Sequence, residues 1–403
     1  MNQKIWVVLY FIFIILISFH TLKANIGFEI RISQVYLLLL FLFISLYDLK
    51  NKNFNIKLYL FFLVSGILMT LISLNSTYEK IGEFKFIIKY VIIFPAAFYI
   101  GYRTFYFLKL KDIIRISELA IFMVGGLAVY LYYFPIAFLI HDRGALTGLQ
   151  GTFWESSGLS IYLSIFFLIS FILRLYLNSI TPKSISLYLF ALTLIILAKT
   201  KIVYLAFILI FIIATYYKLD LIKKLSYKEI RYTHAISNFI SKINVKKMIL
   251  ILFLFFIILI IYNYIDPFIS KEIIKNKIEN ERGRALKVTL ELLEQSNWLG
   301  CFGWGFVEKY FTSIYRGEGI IGLGEGVNAI FNSFLDIWIS VGIYGVIFQI
   351  ILLTLAFSKK NFLTVALPTF LFVVGLTGPV FIDFSYYFFL GFSYSFKKFV
   401  EVK

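Results

Sequence analysis

Residues 58–74 read LYLFFLVSGILMTLISL. The run contains no Asp, Glu, Lys or Arg, and only Ser65, Gly66, Thr70 and Ser73 interrupt its large apolar side chains. A bilayer core takes about 20 mostly apolar residues per crossing, with a range of about 17–25. No water is available there to satisfy backbone N–H and C=O groups, so such a run must close its hydrogen bonds internally as a helix. Stretches of the same kind recur outward in both directions, at 5–20, 32–47, 86–107, 119–140, 159–177, 184–198, 202–217, 248–265, 341–357, 362–378 and 380–396.

The composition agrees. Of 403 residues, 61% are apolar, 20% aromatic and only 15% charged, whereas a soluble domain is about 45–50% apolar and about 25% charged. A soluble globular protein, a disordered chain, a collagen and a coiled coil are thereby excluded. The single Cys301 excludes a disulfide framework and a cysteine metal site, and the three His at 20, 141 and 234 form no metal cluster. The predicted fold is all-α: a polytopic integral membrane protein of about twelve transmembrane helices, one membrane domain over 1–403. No fixed-period repeat is present. The first apolar stretch follows Met1–Lys4 and is read as a retained span rather than a signal peptide, because eleven spans follow and no small-x-small cleavage site ends it.

The net charge of +17 suggests nucleic acid until it is mapped onto the spans. With both termini in the cytoplasm, the inner segments hold 23 Lys+Arg and 6 Asp+Glu and the outer ones 16 and 16, which accounts for all 39 and 22. The whole excess is therefore on the inside. The loop 218–247 alone has Lys218, Lys223, Lys224, Lys228, Arg231, Lys242, Lys246 and Lys247 against Asp220 and Glu229. The positive-inside rule explains this distribution as a topology signal. Nucleic acid is not an expected partner, and the expected location is the cell inner (plasma) membrane, with 218–247 a basic cytoplasmic loop.

Polar residues then gather on the outer side in three places: 141–158 (HDRGALTGLQGTFWESSG), the AKTK turn at 198–201, and the long stretch 266–340. Few ionisable residues lie mid-span, which argues against an ion-coupled pump. Within 284–296, RALKVTLELLEQS, Leu286, Leu290 and Leu293 recur at helical spacing, with Arg284, Lys287, Glu291 and Glu294 opposite. This spacing predicts an amphipathic helix on the outer interface or over the bundle. WLGCFGWG, 298–305, has three Gly in six residues and reads as a tight turn; RGEGIIGLGEG follows at 316–326. A helix is expected from near Val327, with Asn328, Asn332 and Asp336 as one polar stripe that serves either as a wet face or as a sugar-facing wall.

These outer segments resemble the bacterial O-antigen polymerase (Wzy) and O-antigen ligase superfamily, over residues 143–357. RGALTGLQGTFWESSGL, 143–159, is similar to its R-x-x-G-x-F-x-x-P-N-x-L element, with Glu155 and Ser156 in the Pro-Asn region. ILAKTKIVYLAFIL, 196–209, resembles a helix start where the family has Arg and this chain has Lys199 and Lys201. ERGRALKVTLELLEQSNWLGCFGWG, 281–305, resembles the R-x3-W segment that ends in G-x-G, with Val288 where Trp is common. FNSFLDIWISVGIYG, 331–345, resembles H-N-x-x-L with its trailing glycines, but Phe331 stands where the ligase branch has His.

The resemblance implies transfer of a glycan from an undecaprenyl-diphosphate carrier to an acceptor hydroxyl, without metal or cofactor. Phe331 cannot move a proton, which favours polymerase over ligase. A lipid-linked oligosaccharide flippase is the alternative from another class; two similar halves or charges within spans would mark it. Arg binds phosphate bidentately, so Arg143 and Arg284 lead the diphosphate-binding candidates, with Arg282, Lys199 and Lys201. The two lysines equally suit snorkelling to the interface. Glu155 and Asp336 are the candidate general bases; the alternatives are a helix N-terminal carboxylate for Glu155 and a simple stripe member for Asp336. Asn328, Asn332 and Trp304 are the candidate glycan contacts, although an outer Trp also serves as an interfacial anchor. The implied partners are the undecaprenyl-diphosphate-linked oligosaccharide, the lipid bilayer and a chain-length regulator.

Overall fold

The computed structural model describes residues 3–19, 22–25, 29–74, 87–134, 149, 152–153, 156–198, 200, 202–213, 283–303, 332–357, 363–376 and 383–402. The expected span 248–265, the basic loop 218–247 and the stretches 266–282 and 304–331 lie outside these residues.

The described chain is mostly helical. Its helices are α1 (Gln3–Ile17), α2 (Ile32–Lys50), α3 (Ile56–Leu74), α4 (Phe94–Phe107, entered through a π-turn at Lys89–Ile93), α5 (Leu110–Tyr133), α6 (Ser156–Tyr176) and α7 (Pro182–Leu197). They continue with α8 (Ile202–Ile213), α9 (Gly283–Gln295), α10 (Ser333–Ala356), α11 (Leu363–Gly375) and α12 (Phe384–Val402). A two-stranded ribbon, Lys23–Asn25 with Glu29–Arg31, leads into α2. Each interval expected as a span, 248–265 excepted, falls on one of these helices. The helices α2, α3, α5, α6 and α10 are long and apolar enough to cross a membrane, and α1, α7, α8 and α11 are shorter apolar helices.

The exposed surface of α2 explains why lipid is the solvent. Leu39, Leu42, Phe43, Leu46 and Leu49 are exposed, while the buried face carries Ser33, Gln34, Ser45 and Asp48 among its aliphatics. In water this inverted pattern would leave a large apolar patch uncovered.

Packing divides the chain into two compact units interleaved in sequence. The first unit holds α1, α5–α8 and the start of α11. There α1 buries Trp6, Tyr10, Phe13, Ile14 and Ile17, and Tyr162 Oη donates to the Ile14 carbonyl at 2.8 Å. Arg174 Nε donates to Glu118 Oε1 at 2.5 Å and Arg174 Nη2 to Oε2 at 2.9 Å, while Ser170 Oγ donates to Oε1 at 3.1 Å. Thr181 caps α7 in a reciprocal box with Ser184, with Pro182 in the first turn, so α7 begins two residues before the expected 184.

The second unit holds α2–α4, α9, α10, the end of α11 and α12. Fully buried Asp48 accepts from Arg103 Nη2 at 2.6 Å and from Tyr99 Oη at 2.8 Å, which ties α2 to α4. The helices α4 and α12 cross with Gly101 against the Phe388 carbonyl and Gly391 against the Phe98 carbonyl. A Cβ at either glycine would collide with backbone, so this crossing exists only because both positions lack one.

Candidate functional site

The helix α10 is broken. Val341 (φ −129°, ψ 15°) and Gly342 (φ 72°, ψ −169°) leave helical geometry, separating Ser333–Ser340 from the remainder. A backbone with φ near +70° and ψ near 180° is open essentially to Gly alone. The break deprives carbonyls in the preceding turn of their partners i+4, and a buried carbonyl requires a substitute. The segment after α9 supplies it: Phe302 N donates to the Ile339 carbonyl at 2.8 Å and Gly303 N to the Ser340 carbonyl at 2.9 Å.

That segment is shaped for the task. Asn297, Trp298, Gly300, Cys301 and Gly303 all have positive φ. Ser296 anchors it, with Oγ donating to the Leu293 carbonyl at 2.9 Å and accepting from Gly300 N at 3.0 Å. Trp338 Nε1 donates to the Trp298 carbonyl at 2.9 Å. The glycine-rich turn expected at 298–305 therefore approaches a broken helix. The helix α9 occupies the predicted position, but its buried face runs through Thr289, Leu292 and Leu293, and Leu290 is exposed. Of the expected stripe, Leu293 is buried and Leu290 exposed, and α9 packs on α10.

The first half of α10 presents a carboxylate. Asn332 lies outside the helix (φ −144°, ψ 115°) and caps it, with Oδ1 accepting from Phe334 N at 2.9 Å and Leu335 N at 3.1 Å. The helix accordingly starts at Ser333, not near Val327, and Asn332 and Asp336 do not share a helical stripe. The cap occupies Asn332's acceptor oxygen, a cost to its expected role as a glycan contact. Asp336, half-buried in the first turn, is favoured by the helix dipole.

Lys89 is the first residue of the π-turn, with Tyr90 beside it. Lys89 is half-buried and Tyr90 buried. Tyr387 Oη accepts from Gln349 Nε2 at 2.7 Å, its ring meets the Tyr90 ring edge-on at 6.4 Å between centroids, and it stacks on Phe94 at 4.3 Å.

Of the residues expected in a site, Asp336 and Asn332 are described with their side chains. Arg284 lies near the start of α9, described only as backbone. Glu155, Arg143, Arg282, Lys199, Lys201, Asn328 and Trp304 lie outside the described residues. The structure adds Lys89, Tyr90, Tyr387 and Gln349. The signal for Lys89 was in the sequence: it is the one cation within the apolar run FIIKYVIIFP, 86–95, and an ionisable group inside a span marks a site until its partner is found. No protein-family model, curated protein or solved structure matches the chain.

Proposed function

We propose that the protein is a polysaccharide repeat-unit polymerase, for O-antigen or capsule. On this reading it transfers glycan from an undecaprenyl-diphosphate carrier to the end of another lipid-linked glycan. The proposal includes twelve spans, one large extracytoplasmic stretch over 266–340, both termini in the cytoplasm of a plasma-membrane protein, and a chain-length regulator as partner.

One observation supports it above the rest. The segment resembling the family's last motif, 331–345, is where α10 breaks and where Asp336 stands half-buried in the first turn. The reaction needs a carboxylate at the acceptor and cations at the diphosphate. In this mechanism the acceptor hydroxyl loses its proton to a carboxylate, Asp336 or Glu155. Its oxygen bonds the anomeric carbon, and the bond from that carbon to the diphosphate oxygen breaks, with the electron pair leaving on the diphosphate. Arg143 and Arg284, with Arg282, Lys199 and Lys201, hold the leaving group. Asn328 and Trp304 would contact the sugar.

The test is reconstitution. Purified protein given a synthetic lipid-linked repeat unit should convert it to a ladder of longer chains. A set of cognate and related units that stays unelongated in folded preparations would refute the reading, and accumulation on the cytoplasmic leaflet in cells lacking the protein would assign a flippase instead.

A further inference from the structure

The helices α2 and α3 are joined by the short turn 51–55, and the stretch 50–57 around it reads KNKNFNIK. We propose that Lys50, Lys52 and Lys57 form a binding site for the phosphate headgroup of an anionic phospholipid, whose acyl chains lie along the exposed apolar rows of α2 and α3. The site is independent of the polymerase reading.

Three observations carry it. The first is unopposed charge. The three lysines are exposed, and none makes an ion pair among the described residues. No acidic residue lies between Asp48 and Glu79 in the sequence, and Asp48 is fully buried with its oxygens held by Arg103 and Tyr99. The second is a fixed turn. Asn51 N donates to the Tyr47 carbonyl at 3.1 Å, Lys52 N to the Leu49 carbonyl at 3.1 Å and Asn53 N to the Asp48 carbonyl at 2.8 Å. Asn53 Nδ2 donates to Tyr106 Oη on α4 at 3.1 Å. Lys52 stands at φ 55°, where a helix end ordinarily places Gly or Asn, although Asn51 and Asn53 flank it. A backbone held in this way loses little freedom when an anion binds. The third is the pair of apolar rows. On α2, Leu39, Phe43, Leu46 and Lys50 follow at steps of four, three and four; on α3, Lys57, Leu60, Val64 and Ile67 follow at steps of three, four and three. All are exposed, and residues at such steps share one face of a helix. Both rows run out from the turn and both end on a lysine there.

This juxtaposition selects the ligand. A free phosphate would use the cations and leave the rows untouched. A zwitterionic lipid would use the rows, but its own cation would be set against the lysines. An anionic phospholipid uses both, with its phosphate on the ammonium groups and its chains along the leucines. A topology signal requires only a number of cations on one face. It does not require them on a fixed turn, at the ends of two apolar rows, with one in the left-handed region.

The experiment counts bound lipid. Full-length protein in a neutral detergent is titrated with phosphatidylglycerol and, separately, with phosphatidylcholine, and the lipid-bound species are resolved by native mass spectrometry. Wild type should hold phosphatidylglycerol at least about tenfold more tightly. Lys52→Gly removes one charge at a backbone angle that suits glycine, so the fold is kept; binding should weaken about fivefold with unchanged melting. Combining it with Lys50→Gln and Lys57→Gln should weaken binding roughly 10–100-fold and bring the two lipids level. The control removes the same charge from exposed cations of the first unit, through Lys109→Gln, Lys111→Gln and Arg115→Gln, and should stay within about twofold of wild type. Equal losses in the two triple variants would assign the effect to net charge and overturn the site. So would a wild type that does not distinguish the lipids, or unchanged binding after loss of the three lysines. Displacement of phosphatidylglycerol by millimolar inorganic phosphate would assign the lysines to a free anion and also overturn it. If the triple variant fails to fold, Lys52→Gly decides: full affinity in that folded variant refutes the proposal.

Discussion

Gly342→Ala is the sharpest perturbation of the broken helix. At φ 72° and ψ −169° an alanine costs about 1–3 kcal/mol in backbone strain. Its Cβ would also fall 2.5 Å from Cys301 Sγ and 2.7 Å from the Leu299 carbonyl oxygen. The clash is relieved only if the 299–303 segment lifts away, which surrenders the bonds from Phe302 N and Gly303 N to α10. Each is worth about 0.5–1.5 kcal/mol, so with the backbone strain the lifted variant should lie about 2–6 kcal/mol above the docked wild type. Relief of the Cβ clash drives the lifting, because the two bonds oppose it in both proteins. Cys301 is the only cysteine and lies against Gly342, so its maleimide labelling rate in membranes reports the lifting directly. The variant should label at least about tenfold faster than wild type. Labelling within twofold of wild type, with unchanged melting, would refute the account of the break and of the loop that caps it.

Burial pushes the Cys301 thiol up. Because the thiolate is the reactive form, wild-type labelling should keep climbing with pH beyond the ordinary thiol range, and the climb should level off earlier in Gly342→Ala; a plateau at the ordinary value would contradict the burial. The proposed topology also requires labelling by an impermeant reagent from outside intact spheroplasts, and labelling only after permeabilisation would reverse every face assigned above. Gly101→Ala and Gly391→Ala should each force α4 off α12 and lower the melting temperature in detergent, whereas Gly126→Ala, with open space around its Cβ, should not. Asp48→Asn strands Arg103 in a buried site and should cost about 3–5 kcal/mol, read as lost yield of folded protein; wild-type thermal stability would place the pair outside the core. Arg143→Ala and Arg284→Ala should each abolish long glycan chains at normal protein level, about 30–1000-fold in rate for a phosphate contact worth about 2–4 kcal/mol, and Glu155→Gln tests the second carboxylate in the same assay.

The spans were legible because lipid leaves the backbone a single solution: an uncharged run such as 58–74 must be a helix whatever it packs against. The helix at 283–295 was legible from spacing alone, whereas the burial of Thr289 beside Leu292 and Leu293 depends on its neighbours and was not. The stripe of Asn328, Asn332 and Asp336 failed for a local reason. Asn is a strong N-cap, and Asn332 starts the helix instead of riding on it. The break at Gly342 could not be read from a run as apolar as VGIYGVIFQIILL, since glycine is frequent in transmembrane helices without breaking them.

Where the buried charges sit separates scaffold from site. A carboxylate that serves the fold is best held with every oxygen occupied, because an unmet one is costly in a low-dielectric interior. Asp48 and Glu118 meet that condition, each holding an arginine and a hydroxyl. Asp336 is arranged otherwise. It stands half-buried in the first turn of a half-helix whose other end is broken. The break is held by a loop rich in positive-φ residues, which supplies the partners that the Ile339 and Ser340 carbonyls lose. The regular helices α2 and α4 hold Asp48 and Arg103 with no such break. On the proposed reading the half-helix sets a carboxylate where an acceptor hydroxyl meets it, a task closed to a carboxylate whose oxygens are both occupied by the fold.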